Sequence, residues 1–267
     1  MRIAVIGGTG EAGAPTVAAL ARRGAQTVVV SRRPPAISGV EHRVADIATG
    51  EGLRAALEGA ECVVHAANGR RNAAEVLIGG TERLFEAAEA AAVSHLAFIS
   101  IVGCERVPFR YHRVKAEQER LIAASPVPWT VLRATQFHSL VASLFDATRR
   151  FGTLPGGAAR LQPIDAAVTG EALADAALGV PAGRLPNLVG PQLETLTGLA
   201  LAYRQVTGSR ALRLPAPLPP RLRRALAGGA LTDRMAEGRG PGFEAWLRER
   251  QAKGGSEEAS SARGPAR

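Results

Sequence analysis

Short apolar runs alternate with amphipathic stretches along the first half of the chain. The runs RIAVI, AQTVVV, EHRVA, ECVVH, HLAFIS and WTVLR predict strands at residues 2–6, 25–30, 41–45, 61–65, 95–100 and 129–133. Apolar residues at helical spacing predict helices near residues 15–24, 50–58, 72–92 and 111–124. Strands separated by helices indicate a parallel sheet covered on both faces. Such sheets bind ligands beyond the carboxyl ends of their strands, so the loops after these strands are the expected ligand-binding loops.

The last third of the chain is less regular. It predicts helices at 137–150, 166–179 and 194–207 and short strands at 161–164 and 185–189. Asp165 is the expected N-cap of the second of these helices, and Thr195 or Thr197 lies near the start of the third. The proline-rich run LPAPLPPRLRR predicts no regular element before Pro220. We therefore expect a nucleotide-binding domain over 1–150, a small C-terminal region over 151–252, partly integrated with the same sheet, and a disordered tail over 253–267.

Three glycines follow the first strand at once and precede a helix. The segment Gly7-Gly8-Thr9-Gly10-Glu11-Ala12-Gly13 has the spacing G-x-x-G-x-x-G. In a strand–turn–helix unit, one glycine allows the tight turn, one lets the backbone approach a pyrophosphate, and one lets helix and strand pack closely. The N–H groups at the helix start then face the phosphates. The pattern predicts a dinucleotide site, and the alternative is an ordinary tight turn.

The end of the second strand indicates which dinucleotide is bound. Ser31, Arg32 and Arg33 stand where an NAD-selective site usually has an acid for the ribose 2′-hydroxyl. A hydroxyl and two guanidiniums suit a 2′-phosphate, so NADP(H) is favoured over NAD(H). The alternative is that both arginines are solvated loop charges. Asp46, after the third strand, either caps the next helix or contacts the adenine.

The fifth strand and the helix after it carry the candidate chemistry. Ser100 ends the strand, and Tyr111 and Lys115 form a Y-x-x-x-K array beyond it. Because positions i and i+4 share a helix face, the Lys115 ammonium is expected beneath the Tyr111 hydroxyl, where it favours the phenolate. Tyr111 would act as general acid, and Ser100 would stabilise negative charge on a substrate oxygen. The structural alternatives are a packed aromatic, a solvated lysine and a loop-capping hydroxyl.

These motifs resemble the short-chain dehydrogenase/reductase superfamily. The turn GGTGEAG, the strand end FISIVG, the helix YHRVKAEQERLI and the segment PWTVLRATQFHSLV are similar to its atypical NmrA-like, NAD(P)H-binding subgroup, over roughly residues 1–190. The resemblance implies an α/β fold with a Rossmann-type doubly wound parallel sheet and a small C-terminal substrate region. It implies NADP binding at the glycine turn, including Thr9, Glu11 and Ala12, and at Arg32 and Arg33. It also implies that Ala66, Ala67 and Asn68 lie along the cofactor and that Lys115 contacts the nicotinamide ribose.

Two functions follow from this combination. The first is an NADPH-dependent oxidoreductase that transfers hydride to a carbonyl or quinone-like small molecule. The alternative is a non-catalytic NADP(H)-binding redox sensor, because some members of the subgroup bind NADP without turning it over. The Ser100, Tyr111 and Lys115 set favours the enzyme. Gln136, Phe137 and His138 follow the sixth strand and are candidates for the substrate pocket, with packed side chains as the alternative. A sugar-nucleotide epimerase is a more distant reading, since the C-terminal part is short for a nucleotide-sugar lid.

Composition narrows the partners. The net charge of +9 would suit nucleic-acid binding. The arginines are scattered, however, and aromatic residues make up only 4% of the chain, so we expect no nucleic-acid partner. No apolar run is long enough to span a bilayer, and the N-terminus is not that of a signal peptide. The histidines, Cys62 and Cys104 show no metal-ligand spacing, which predicts no metal and two free thiols in a reducing cytoplasm. We expect a monomer or homodimer that acts on a small molecule.

Overall fold

The structure is a computed structural model that describes residues 1–69 and 72–261, with side chains up to residue 253. The chain divides into two compact units. The first comprises Met1–Ala134 and Ala166–Leu188, and the second comprises Thr135–Asp165 and Val189–Arg267. The predicted boundary lies at residue 150. In the structure the first unit is interrupted after the sixth strand, at Ala134, and resumes at Ala166.

The first unit is built on a seven-stranded sheet. Its strands are β1 (Arg2–Ile6), β2 (Gln26–Ser31), β3 (Glu41–Val44), β4 (Cys62–His65), β5 (His95–Ile101), β6 (Trp129–Ala134) and β9 (Gly183–Arg184). Its helices are α1 (Gly13–Arg22), α2 (Leu53–Ala56), α3 (Gly80–Ala90), α4 (Arg110–Ala123) and α6 (Ala166–Leu178). All strand pairs are parallel, in the order β3-β2-β1-β4-β5-β6-β9. The predicted α/β, Rossmann-like fold is confirmed, and the strand order reverses beside β1, where such sheets bind ligands.

Helix packing closes the first unit around this sheet. The central strands are mostly apolar because helices cover both faces of a parallel sheet. Helix α1 packs on α6, and a Cβ on Gly170 would lie 2.5 Å from the Cβ of Pro15. A glycine at this position therefore allows the two helices to approach closely.

Some predicted elements are shorter than the sequence pattern indicated. The helix expected at 50–58 is only the single turn α2, because Gly50 and Gly52 adopt φ values of +84° and +71° and form the turn before it. The helix expected at 72–92 begins with a π-helical turn, Glu75–Gly79, before α3. The strand expected at 185–189 is replaced by β9 and an isolated bridge from Leu188 to Ala134.

The second unit has its own core. Its strands are β7 (Thr153–Gly156), β8 (Arg160–Leu161), β10 (Glu194–Thr195) and β11 (Leu212–Pro215), and its helices are α5 (His138–Arg149), α7 (Leu196–Thr207), α8 (Pro220–Ala227) and α9 (Phe243–Ser261). Phe145, Leu154 and Tyr203 are fully buried in this core. Thr195 caps α7, as expected, because its hydroxyl accepts a hydrogen bond from the Gly198 N–H at 3.0 Å.

Two segments of this unit differ from the sequence expectation. The proline-rich run begins inside β11, which pairs with β7 in parallel, although α8 does start at Pro220. Pro215 ends the strand, where its missing N–H breaks no ladder. Helix α9 continues to Ser261, through part of the segment expected to be disordered, and residues 262–267 lie outside the described residues.

Candidate active site

The glycine turn after β1 is held by close backbone contacts. Gly7 has a φ of +75°, and a Cβ on it would lie 2.7 Å from the Cα of Ala67. A Cβ on Gly13 would lie 2.1 Å from the carbonyl oxygen of Gly7. Gly10 donates its N–H to that same carbonyl at 2.8 Å. Gly7 and Gly13 are therefore required by the packing of the turn itself, against the loop after β4 and against the start of α1.

The outer part of the turn fits the pyrophosphate of a dinucleotide. Thr9, Gly10 and Glu11 are exposed, and among the described residues a Cβ on Gly10 would meet only the Gly7 carbonyl, at 3.1 Å. Helix α1 begins with Ala12 as N-cap and has no side-chain cap. The Ala14 N–H donates to the Gly10 carbonyl at 2.9 Å and Pro15 has no N–H, so the N–H groups of Ala12 and Gly13 are the ones that can face phosphate oxygens, and the helix dipole favours an anion there.

The loop after β2 presents two arginines to solvent and turns its serine hydroxyl inward. Ser31 is buried and donates its hydroxyl proton to the Arg33 carbonyl oxygen at 2.5 Å. Arg32 is exposed, with its guanidinium 3.8 Å from the Asp46 carboxylate. Asp46 also accepts a hydrogen bond from the Ala48 N–H at 2.9 Å, within the turn after β3. The N-cap of α2 is Gly52, so Asp46 does not cap the next helix, and its contact with the adenine stays a prediction. Arg32 and Arg33 are both exposed, and their role toward a 2′-phosphate stays a prediction.

Tyr111 reaches the loop after β4. It lies at the start of α4, and its hydroxyl donates to Oδ1 of Asn68 at 2.9 Å. Ala66 is fixed in the same loop by donating its N–H to the Ile6 carbonyl of β1 at 3.0 Å. Since Ala67 contacts Gly7, the phenol and the glycine turn stand at the same carboxyl edge of the sheet.

Ser100 belongs to a buried ionic cluster. Its hydroxyl, which the sequence assigned to a substrate oxygen, donates to Oε2 of Glu119 at 2.6 Å. Glu119 is 2% exposed and also pairs with Arg133 at 2.8 Å and with Arg184 at 2.5 Å. Burial would raise the pKa of Glu119, but the hydrogen bonds from Arg133 and Ser100 bring it below its ordinary value. The structure therefore places Ser100 beside Glu119 rather than in a relay with Tyr111.

Lys115 is buried one helical turn beyond Tyr111. Its ammonium donates to the Ile99 carbonyl at 3.1 Å and to Oε1 of Gln118 at 2.9 Å, and it lies 4.4 Å from the centre of the Phe98 ring. Burial lowers the pKa of Lys115 to about 8, although the charges of Cys104 and Glu119 oppose that shift. These contacts use two of the three ammonium protons and fix the side chain on the carboxyl half of β5.

The three candidate pocket residues after β6 lie in the second unit. His138 is buried, donates its Nε2–H to the Pro241 carbonyl at 3.0 Å and lies against the tilted rings of Phe243 and Trp246. Gln136 donates its amide to the Leu231 carbonyl at 2.9 Å. Phe137 precedes α5 and bridges to Ile164. These contacts lie within the core of that unit, and a substrate-pocket role for the three residues stays a prediction.

Sequence reasoning missed two residues of this site. Gln118 and Glu119 are polar residues within an amphipathic helix, where nothing in the pattern separates a buried amide or carboxylate from a solvated one. For His65, at the end of β4, the sequence leaves a packed side chain and a contact with the ribose equally open. The signal that could have found Glu119 is its position on the turn after Lys115, facing Arg133 of the next strand.

The structure also bears on metal binding, on membrane spans and on the two cysteines. Among residues 1–69 and 72–261 there is no cluster of His, Cys, Asp or Glu that could hold a metal ion. The helices of that same part of the chain include none both long and apolar enough to cross a membrane. Cys62 and Cys104 are free thiols and buried, as expected, and burial raises their pKa values to about 12 and about 11.

Several proteins of known activity are similar to this chain, either in part of its sequence or in its fold. Over 105 residues, 37% of this chain, it is 40% identical to the L-arabinose 1-dehydrogenase (NAD(P)(+)) of Haloferax volcanii. That match spans 40% of the relative's length. An NADPH-dependent quinone oxidoreductase from Escherichia coli, solved in complex with NADPH, superposes with a TM-score of 0.76 at 20% identity, covering 93% of this chain and 99% of that one. A nucleoside-diphosphate-sugar epimerase from Staphylococcus aureus gives 0.77 at 18% identity, covering 93% and 100%.

These structural matches show a shared fold. A family model described as NAD(P)H-binding matches residues 7–173, from the glycine turn into α6. The match includes the turn, the Arg32 loop, the Asn68 loop and helix α4, which are the parts that the geometry brings to one edge of the sheet. It extends over more than half of the chain, and the chain therefore belongs to the NAD(P)H-binding family.

Proposed function

We propose that this chain is an NADPH-dependent reductase of the NmrA-like type that acts on a quinone-like small molecule. The observation that carries the proposal is the position of Tyr111, whose hydroxyl is 2.9 Å from Asn68 in the loop packed against the glycine turn. A proton donor thus stands beside the segment that binds a dinucleotide. A cytoplasmic setting goes with this role, since both cysteines are free thiols.

The cofactor would be held by the turn and the Arg32 loop. The N–H groups at the start of α1 bind the pyrophosphate, and Arg32 and Arg33 bind a 2′-phosphate as charge-assisted donors. When bound, the nicotinamide supplies a hydride. Lys115 follows Tyr111 by one turn of α4, and its role would be to position the ribose and the phenol.

The acceptor class follows from the hydroxyl of Ser100. Hydride addition to an aldehyde or ketone leaves a localised alkoxide, which needs strong donors to stabilise it. Hydride addition to a quinone leaves a phenolate whose charge is delocalised. Ser100 is buried and donates its proton to the Glu119 carboxylate, whereas Tyr111 is partly exposed and its partner Asn68 is a neutral amide, so Tyr111 is the hydroxyl that the candidate set offers to a substrate oxygen. A single proton donor is sufficient for a quinone-like acceptor. The acceptor takes the hydride on its ring system and the proton of Tyr111 on its oxygen. Water then returns a proton to Tyr111.

The experiment is NADPH oxidation against matched panels of quinones, aldehydes and ketones. Wild-type protein should turn over quinones faster than the simple carbonyl compounds. The Tyr111→Phe variant keeps the ring but removes the proton, so quinone turnover should fall by roughly two to four orders of magnitude while NADPH affinity is retained. Unchanged turnover in Tyr111→Phe would eliminate the tyrosine as proton donor.

Cofactor preference is tested with the two arginines of the β2 loop. Loss of a charged partner of the 2′-phosphate should cost about 1.5–3 kcal/mol of NADPH binding and leave NADH binding nearly unchanged. Titration of Arg32→Ala and Arg33→Ala with both cofactors measures this difference. Arg120→Ala, which removes an exposed arginine elsewhere on the first unit, is the control. If neither Arg32→Ala nor Arg33→Ala narrows the preference for NADPH over NADH, the NADP assignment is wrong.

A non-catalytic NADP(H) sensor is the second candidate. It is favoured by the contacts of Ser100 with Glu119 and of Lys115 with Gln118, which separate the three residues expected to form one relay. The two functions differ in a single measurement. Wild-type protein that binds NADPH but oxidises it with no member of the panels would identify the sensor.

A further inference from the structure

Lysine is scarce in this chain, and one of its lysines is buried. Only two of the 33 Lys and Arg residues are lysines, Lys115 and Lys253. Lys253 is 74% exposed on α9 and pairs with Glu249, whereas Lys115 is buried against Phe98. Arginine keeps its charge in any environment, but the compact amine of lysine changes its protonation readily when buried. A chain that otherwise uses arginine thus keeps a lysine where a titratable, closely held amine can act.

A chain of buried hydrogen bonds leads away from Lys115. Its ammonium donates to Oε1 of Gln118 at 2.9 Å. The amide nitrogen of Gln118 lies 3.0 Å from Nε2 of His65 and 3.0 Å from the hydroxyl of Thr81. Thr81 in turn donates its hydroxyl proton to the Leu77 carbonyl at 2.6 Å, in the π-helical turn before α3. The four side chains come from β4, α3 and α4, and all are buried.

The chemistry of the groups fixes the direction of this chain. An ammonium only donates, so the Gln118 oxygen must face Lys115. Because the Thr81 proton goes to Leu77, the Thr81 oxygen must accept from the Gln118 amide. Nε2 of His65 lies 3.0 Å from the amide nitrogen and 3.2 Å from the Thr81 hydroxyl, and it accepts the second amide proton when the neutral ring carries its own proton on Nδ1. Burial and the charge of Lys115 lower the pKa of His65 to about 3, so the ring stays neutral.

We propose that Gln118 is the positioning residue of Lys115, and that His65 and Thr81 hold the Gln118 amide so that its oxygen faces the ammonium. The role of Lys115 toward the ribose rests on the proposed function, but the positioning itself rests on these contacts alone. A glutamine that could rotate would offer the ammonium a donor in half of its orientations. The two partners of its nitrogen remove that freedom and fix where the amine stands.

Three titratable groups face Lys115 besides the neutral amide of Gln118. His65 faces it from β4, Cys104 from the turn after β5, and Glu119 from α4 itself, with Arg133 of β6 paired to Glu119. None of these groups changes in the variants below. A shift in the titration of Lys115 would therefore report the group placed at position 118.

The test is an NMR titration of protein labelled with ¹³C-lysine, which yields two side-chain signals. Gln118→Glu places a carboxylate at the ammonium and should raise the Lys115 midpoint by about one unit or more. Gln118→Met removes the acceptor and should lower the midpoint. Thr81→Val removes an anchor of the amide with little change of volume and should lower the midpoint by a smaller amount. Because Gln118 is fully buried, Thr81→Val keeps the test decisive when Gln118→Met fails to fold.

The controls lie on the same molecule. Glu117→Gln changes a charge on the exposed face of α4, beside Arg120, and should leave the Lys115 midpoint in place. The Lys253 signal should stay unchanged in every variant. Shifts of one sign in both Gln118 variants, or no shift in any variant, would overturn the proposal. Opposite shifts support it even when no quinone is reduced, in which case the proposed function fails and the positioning role stands.

Discussion

The buried cluster around Glu119 gives the sharpest prediction of stability. Glu119→Gln keeps the shape of the side chain and removes its charge. The change leaves the guanidinium of Arg133, 15% exposed, without its main counter-ion, and it weakens the acceptor of the Ser100 hydroxyl. Removing one partner of a buried ion pair typically costs about 3–5 kcal/mol, because the other charge stays buried and uncompensated.

Two features of the cluster reduce that cost. Arg133 retains a second carboxylate, since its Nη2 lies 3.4 Å from Glu105, and Arg184 is 53% exposed and regains hydration. We therefore expect a loss of about 2–3 kcal/mol in the free energy of unfolding, below or at the lower edge of the usual range. For a chain of this size that corresponds to a fall in Tm of roughly 5–10 °C.

The dependence on pH identifies the cause. The pKa of Glu119 lies below its ordinary value of 4.5 in the folded protein, so its stabilising effect is present above pH 4.5 and is lost as pH falls through the folded pKa. Urea unfolding of wild type and Glu119→Gln should differ most near pH 7 and converge in acid. Glu117→Gln, on the exposed face of α4, should differ from wild type by less than about 0.5 kcal/mol.

Equal urea midpoints for Glu119→Gln and Glu117→Gln at pH 7 would refute a stabilising role of the Glu119 charge. A difference that persists unchanged down to low pH would show that packing, and not the charge, is responsible.

Three further outcomes can be checked with single variants. Gly13→Ala should lower stability strongly, because its Cβ would meet the Gly7 carbonyl at 2.1 Å, whereas Gly10→Ala should fold normally and weaken NADP(H) binding; thermal melts and cofactor titrations of both variants separate the two. Thr195→Ala removes the N-cap of α7 and should cost about 1 kcal/mol in urea unfolding, with Thr197→Ala as the comparison at the next hydroxyl. Gly170→Ala should force α1 and α6 apart and lower Tm, while Gly179→Ala, which meets nothing closer than 3.3 Å, should change it little.

The sheet was predictable because its signal is local. The central strands are mostly apolar runs, and the glycine turn stands directly between such a strand and a helix, where a dinucleotide phosphate binds. The family, the fold and the cofactor class follow from those residues. The boundaries of α2 and of the π-helical turn before α3 were not predictable, because they depend on glycine conformations and on packing against distant residues.

The side-chain partners in the site were not predictable for a different reason. The Y-x-x-x-K spacing puts Tyr111 and Lys115 on one face of α4 but does not say which neighbours compete for their protons. Asn68 and Gln118 are such neighbours, 43 and 3 residues away in the chain. Ser100 likewise lies near the end of its strand, one residue before Ile101, yet the carboxylate that accepts its proton lies 19 residues further on. Hydrogen bonds of this kind are set by tertiary packing, for which a single sequence carries no pattern.

The return of residues 166–188 to the first unit has a consequence for biosynthesis. Helix α6 covers α1, and Arg184 reaches Glu119, 65 residues earlier in the chain. A ribosome that has released only residues 1–134 has therefore supplied every long strand of the sheet but neither the helix that covers α1 nor the last arginine of the buried cluster. Folding of the nucleotide-binding unit must wait for residue 188, with the intervening 135–165 segment held as a closed loop. Truncation before that point should leave a sheet with one apolar helix face exposed to solvent.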